Sequence, residues 1–391
     1  MEMQAVAITR RAVERILSGH PWIYRSDVES PQNAEPGSVV RLVDAKKRYW
    51  GQALYSSRSQ IALRFLTREQ RPFDKTFLAE RILRAGAYRA QVADTAMAYR
   101  LVASEGDLLP SLIIDRYGDC FVVQTLSQGM DHLTQEIVAV LKANFAPRAI
   151  IERNDVAVRA LEGLPERKGL LDGDEVRNAI IEENGIRYSF DLLEGQKTGG
   201  FLDQRENRSR ALEYARGKAL DCFCYTGGFA LPLAHRCESV LGVDSSAPAL
   251  SGARRNQQLN GISNVEWREA NCFDFLKAAD RQGLRYDLVV LDPPAFARLK
   301  PSRDAALRAY KELNLRALKI LSAGGFLITC SCSFHVSESD FIEAIASAAL
   351  DARRGVSVVE RRTQSRDHPI LLTVPETHYL KCLILRVTEP L

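Results

Sequence analysis

With 391 residues, 46% hydrophobic and 26% charged side chains and a net charge of +4, the chain has the composition of a globular protein of two or three domains. No apolar run approaches the 18 residues of a membrane span. The first twenty residues carry Arg10, Arg11, Glu14 and Arg15 where an export signal needs an apolar core, so a cytoplasmic protein with no membrane partner is expected. Eight cysteines in that compartment should stay reduced, and the pairs Cys222/Cys224 and Cys330/Cys332 are C-x-C rather than a zinc framework, so no metal is expected.

Charge is unevenly distributed. Residues 1–72 hold twelve Lys and Arg against seven Asp and Glu, whereas residues 73–391 hold forty-one against forty-two. A polyanion would dock on the first segment, although so modest a surplus also suits an ordinary solvated face. That segment reads as a small β-barrel. Gly19-His20-Pro21-Trp22-Ile23-Tyr24 is an aromatic turn, and strands are expected over 37–44, 49–55 and 61–66. Lys46, Lys47 and Arg48 beside Tyr49 and Trp50 mix charge with stacking surface, a pairing that nucleic acid rewards.

A helical pattern from Asp74 to about Gln91 marks a change of unit. Strands follow over 98–103, 112–115 and 120–125, then one helix over 130–144 with Leu133, Ile137, Val140 and Leu141 at period 3.6, then a strand over 149–152. This is an α+β unit with no catalytic constellation of its own. A hairpin over 180–192, turning at Asn184-Gly185, leads into the third domain. The polar, glycine-rich loop 193–208 after it would let backbone approach a ligand closely.

From Ala219 to Ser333 five strands alternate with helices, and each strand ends in polar or reactive residues. The first runs into Cys224-Tyr225-Thr226-Gly227-Gly228-Phe229, the second ends at Asp244, the third near Asn271, the fourth at Asp292-Pro293-Pro294-Ala295-Phe296, and the fifth in Cys330-Ser331-Cys332-Ser333. The pattern is that of a doubly wound sheet whose site lies at the strand ends. Because the first turn lacks Gly-x-Gly-x-x-Gly, it offers no pyrophosphate seat, which points to S-adenosylmethionine rather than a dinucleotide. Asp244 would then hold the ribose and Asn271 the adenine edge, while Gly227 and Gly228 would leave room for the methionine part. Asp292 is expected to face a planar heterocycle with Phe296 near it, although a strand-ending Asp also suits a helix cap. Cys332 sets the reaction type. An unactivated C5 of a pyrimidine cannot attack a methyl sulfonium, but a thiolate added to C6 makes C5 nucleophilic. A neighbouring backbone or cationic side chain must favour that thiolate.

Several of these segments carry a resemblance. Gln196-Lys197-Thr198-Gly199 with Phe201-Leu202-Asp203-Gln204-Arg205, then 224–229, Asp292-Pro293-Pro294-x-Phe296, Tyr310-Lys311-x-x-Asn314 and Ser331-Cys332-Ser333 resemble the bacterial 23S rRNA 5-methylcytosine methyltransferases. The resemblance implies an α/β chain with a Rossmann-like S-adenosylmethionine methyltransferase domain over 186–391. A PUA-like RNA-binding barrel over 1–70 and a central α+β domain over 71–185 would precede it. It implies that Cys332 attacks C6 of a flipped cytosine in 23S rRNA and that Asp292 contacts the N3/N4 edge. Cofactor contacts would come from Gln204, Asp221, Phe223, Thr226, Gly227 and Gly228, together with Asp244, Ser245, Asn271 and Asp292. Pro293, Phe296, Tyr310 and Lys311 would line the base.

The sequence names no base for the C5 proton and leaves a homodimer open. Cys330 stands where the family carries an apolar residue, and strand alternation would turn both thiols to one face, so which one reacts stays open. A purine nitrogen such as guanine N7, already nucleophilic, would need no cysteine. A non-catalytic rRNA assembly factor would use only the basic first unit.

Overall fold

The computed structural model describes residues 3–31, 33–93, 95–296 and 302–390. Contacts divide the chain into two compact units. Unit 1 is Met1–Ile181 with Phe190–Leu202 and Arg366–Thr377, and unit 2 is Glu182–Ser189 with Asp203–Ser365 and His378–Leu391. The backbone passes between units at five points, where the sequence suggested one junction near residue 185.

Unit 1 begins with β1 (Ala5–Ile8), α1 (Arg10–Leu17), β2 (Trp22–Tyr24), β3 (Val28–Ser30), β4 (Val39–Val43), β5 (Tyr49–Tyr55) and β6 (Ile61–Thr67). They form one six-stranded sheet in the order β2-β6-β5-β4-β1-β3. In β4 burial alternates, and Val40 and Leu42 reach the core that also holds Ile8, Ile16 and Leu63. Thr9 caps α1 through its side-chain oxygen.

A second layer follows. It comprises α2 (Lys75–Val92), β7 (Ala98–Ala103), β8 (Leu112–Tyr117), β9 (Cys120–Thr125), α3 (Gln128–His132), α4 (Thr134–Phe145), β10 (Ala149–Asn154) and β11 (Arg167–Gly173). Its sheet runs β11-β10-β9-β8-β7 with only β9 and β10 parallel. The single helix expected over 130–144 is two, broken at Leu133, whose backbone leaves the helical region (φ −90°, ψ 6°). The spacing of Ile137, Val140 and Leu141 is still that of one buried face, which is why periodicity alone missed the break. Loop 193–202 belongs to this unit. Thr198 is buried, donates from Oγ1 to Asp115 (2.6 Å) and lies 3.2 Å from the Tyr117 hydroxyl, while Lys197 and Gly199 have positive φ.

The hairpin of β12 (Asn178–Glu183) and β13 (Ile186–Asp191) turns as expected at Asn184 and Gly185, both with positive φ, as a tight two-residue turn demands. Unit 2 continues through α5 (Arg205–Ala211), β14 (Lys218–Cys222), α6 (Ala230–Leu233), β15 (Ser239–Asp244), α7 (Ala247–Leu259), β16 (Val265–Glu269), α8 (Cys272–Arg281) and β17 (Tyr286–Leu291). It closes with α9 (Arg303–Ile320), β18 (Leu321–Ser331), α10 (Glu338–Ala352), β19 (Arg354–Arg362) and β20 (Lys381–Pro390).

The five expected strands are present and parallel, but the sheet has seven, ordered β16-β15-β14-β17-β18-β20-β19. β20 lies antiparallel against β18, and β19 against β20. Leu220, Val289, Val290 and Leu327 are fully buried, as strands covered on both faces must be. Strand order reverses between β14 and β17, and the crevice outside that reversal is where such sheets bind ligands. Among the described residues no helix is long and apolar enough to cross a membrane.

Candidate active site at the strand ends

The β14 end is a strained turn. Phe223 (φ 64°), Tyr225 (φ 49°) and Gly227 (φ 87°) all occupy the left-handed region, which bulky side chains rarely adopt. Such conformations persist where the surroundings over-determine them, and they cluster at ligand sites. The surroundings here are explicit. The Tyr225 amide donates to Asp244 Oδ2 (2.9 Å), the Phe223 amide to the Val243 carbonyl (2.8 Å), and the Asn256 side chain to the Thr226 carbonyl (3.1 Å). A Cβ on Gly227 would sit 2.7 Å from the Trp267 ring, and one on Gly228 would sit 3.2 Å from the Arg208 side chain. Gly227 is thus required by packing and by its backbone conformation, and a side chain at Gly228 would press on Arg208, reasons the sequence did not disclose.

Two carboxylates flank this turn. Asp221 is buried. Its Oδ2 accepts from the Ala230 amide (2.9 Å), whereas its Oδ1 is buried without a partner. Burial, with the Asp292 and Asp244 charges nearby, pushes the Asp221 carboxyl well above its ordinary range. Asp244, at the end of β15, uses Oδ1 to accept from the Ser246 amide (2.9 Å), and Ser245 between them is exposed. Asn271 serves as the N-cap of α8, with Oδ1 accepting from the Phe273 amide (2.9 Å).

At the β17 end, Asp292 does not cap a helix. Residues 292–296 are irregular, and Oδ1 accepts from Gln204 Nε2 (2.9 Å). Gln204 is itself held, since its Oε1 accepts from Asn207 Nδ2 (2.7 Å) and Asn207 Oδ1 accepts from Arg362 Nε (2.9 Å). A chain of polarised groups from β19 therefore orients Asp292. Pro293 is buried, and Phe296 packs on Tyr310 with ring centroids 5.0 Å apart. Tyr310 is buried, lies 2.9 Å from Ser333 Oγ through its hydroxyl and, desolvated, is pushed up to about 12. Lys311 is not brought to the strand ends: its Nζ pairs with Asp351 (2.7 Å), near the C-terminus of α10.

The β18 end separates the two thiols. Cys330 lies within the strand, fully buried opposite Cys382, and the hydrogen bond between these thiols, together with burial, drives its pKa well up. β18 stops at Ser331, so the two-residue alternation ends there and Cys332 leaves the strand half-buried. Its Sγ donates to the Pro293 carbonyl (3.8 Å), the residue after Asp292. The other seven cysteines are all buried.

Residues that sequence reasoning missed support this site from below. Arg208 and Glu183 form a buried bidentate pair (2.6 and 2.7 Å) under Gly228, and the Tyr188 hydroxyl donates to the Gly228 carbonyl (3.2 Å). The signal available for Glu183 and Tyr188 was their place on the core-facing side of the hairpin.

The seven-stranded order, the reversal between β14 and β17 and a carboxylate at each of the first two strand ends define an S-adenosylmethionine-dependent methyltransferase. Comparison with known proteins agrees. Residues 164–386 match the model of the S-adenosylmethionine-dependent methyltransferase family, and residues 6–68 match that of the PUA-like domain.

The chain is 41% identical over 387 residues to "Ribosomal RNA large subunit methyltransferase I" of Shewanella denitrificans, covering 96% of this chain and 97% of that one. It is 40% identical over 378 residues to the protein of the same name from Vibrio cholerae, covering 94% and 95%. It belongs to that family. The fold is shared with the structure "SMU.776, a putative methyltransferase complexed with SAH" (TM-score 0.84, 23% identity, covering 98% of this chain and 100% of that one). "A putative sam-dependent methyltransferase from Streptococcus mutans" aligns with a TM-score of 0.82, 23% identity and the same coverage.

Proposed function

We propose that the chain methylates C5 of a cytosine in large-subunit (23S) ribosomal RNA by way of a covalent bond between Cys332 and C6. The observation that carries this reading is the position of Cys332, the half-buried thiol just past β18 whose Sγ contacts Pro293 beside Asp292. The names of its relatives support the substrate class, and the PUA-like match at residues 6–68 supports an RNA partner.

The residues present suit S-adenosylmethionine. Asp221 offers a buried, unpartnered carboxylate oxygen suited to an ammonium group, Asp244 a carboxylate suited to ribose hydroxyls, and the turn 223–228 a backbone held open by positive φ. When bound, the cofactor supplies an electrophilic methyl group. The chain's own residues do the rest. Asp292, fixed by Gln204, accepts from the exocyclic amine of the cytosine and sets the ring edge-on. Phe296, braced by Tyr310, packs beside the ring. The Cys332 thiolate adds to C6, which places electron density on C5. After C5 is methylated, transfer of its proton to water leaves the electron pair that re-forms the C5–C6 double bond and expels the thiolate. Both faces of the base are needed at once, so the nucleotide must leave its stack.

Labelled methyl transfer to rRNA from a strain lacking the enzyme, followed by nucleoside mass spectrometry, tests the reading. The expected product is 5-methylcytosine, and Cys332→Ala should reduce it below detection. Full turnover in that variant, or a methylated purine, would overturn the proposal.

A further inference from the structure

The thiol of a free cysteine titrates at about 8.5, so a nucleophilic Cys332 needs a setting that favours its anion. The β18 end provides no helix N-terminus directly at the thiol, because α10 begins only at Glu338, capped by Ser337 and Asp340. It does provide a buried cation. Lys381 is the first residue of β20, directly opposite Ser331 in the antiparallel ladder, one residue before Cys332. It is 4% exposed. Its Nζ donates to the Ser333 carbonyl (2.7 Å) and to the Tyr379 carbonyl (2.9 Å), so the ammonium is bound to the residue immediately after Cys332. A lysine has three N–H donors, and these two bonds leave one for a further acceptor.

We propose that Lys381 is the positioning residue of the nucleophile: its buried ammonium fixes the Cys332–Ser333 turn and stabilises the Cys332 thiolate. At neutral pH the ammonium stays protonated, and the proton lost by the thiol goes to water. The inference deepens the proposed function and rests on Cys332 as its nucleophile.

The surrounding charges are consistent with that role. Desolvation lowers the Lys381 pKa to about 8, while Cys332 opposes this most strongly, followed by Glu338 and Asp340 at the start of α10. Those two carboxylates have other cations. Asp340 pairs with Arg303 (2.6 Å), and Glu338 lies 3.7 Å from Arg361. Of the groups that favour the charged form of Lys381, Cys332 acts most strongly. On the other side of the turn, Tyr310 lies 2.9 Å from Ser333 Oγ, so Ser333 is held from both α9 and β20.

Burial of the other seven cysteines makes the test selective. Carboxamidomethylation of Cys332 by iodoacetamide, located by peptide mass spectrometry, is followed against pH in the full-length protein and in Lys381→Met and Lys381→Arg. The midpoint of the profile should rise by about one pH unit in Lys381→Met, with a roughly tenfold slower reaction near neutrality, and should stay near the wild-type value in Lys381→Arg. An unchanged midpoint in Lys381→Met overturns the proposal, as does an equal shift in Lys381→Arg, which would assign the effect to packing. If Lys381→Met fails to bind SAH, Lys381→Gln replaces it, keeping a donor for the Ser333 carbonyl without the charge. The readout needs no RNA and no turnover. A thiol that responds to Lys381 but whose loss spares 5-methylcytosine formation would sink the functional reading while leaving this assignment intact.

Discussion

Unit 2 carries two C-x-C pairs at the carboxyl ends of two parallel strands, and they are used in opposite ways. After β14, the chain folds back through positive φ at Phe223 and Tyr225, and both Cys222 and Cys224 are buried. A Cβ on Gly242 would lie 3.1 Å from Cys224 Sγ, so that thiol is a filler under the 223–228 turn. Burial drives the pKa of each well up, which makes them inert. β14 stops at the first cysteine of its pair, whereas β18 runs one residue past the first cysteine of its own. Cys330 is buried against Cys382, while Cys332 emerges beside Pro293 and the turn held by Lys381. Identical spacing thus produces two inert thiols at one end and one accessible thiol at the other. What differs is where the strand stops and whether a cation waits there.

Three substitutions sharpen this contrast beyond those already described. The largest effect is expected from Glu183→Gln, which removes the carboxylate that pairs with the buried Arg208 under Gly228. Removing one member of a buried pair typically costs about 3–5 kcal/mol, and urea unfolding should show it together with weakened SAH binding. Alkylation of Cys332 should be unaffected wherever that variant is folded, because the brace serves the β14 turn and not the β18 end.

Next comes Gly227→Ala. The added Cβ meets the Trp267 ring at 2.7 Å from a backbone at φ 87°. A penalty of roughly 1–3 kcal/mol is expected, read by calorimetry as weaker SAH affinity at a nearly unchanged Cys332 reactivity. The smallest effect is expected from Cys224→Ala. Loss of one buried sulfur should cost about 1 kcal/mol in stability, and methyl transfer should remain within about twofold of wild type. If Cys224→Ala instead abolished turnover, the division between filler and nucleophile would collapse.

Much of this was legible in the chain itself. The strands that run into Asp244, Asp292 and Cys332 were readable because parallel strands are buried on both faces and so appear as short apolar runs that stop at polar residues. The hairpin was readable because Asn184-Gly185 permits the positive φ that its turn requires. Local chemistry was enough in each case. It failed where the partner is distant. Gln204 orients Asp292 from 88 residues away, and Glu183 reaches Arg208 across 25 residues and a change of element. The break at Leu133 was invisible because both halves of the helical segment bury the same kind of face.

By itself, then, the sequence determined the kind of module, the order of its strand ends and the identity of the residues placed there, since these follow from apolar runs and turn chemistry within a few residues. Only the tertiary structure decided which of two thiols is presented and what supports it. The choice between Cys330 and Cys332 depends on β18 ending at Ser331 and on β20 bringing Cys382 and Lys381 alongside, some fifty residues later in the chain. Antiparallel register across that separation places a thiol against the first and an ammonium beside the second. No local pattern around Cys332 carries that information.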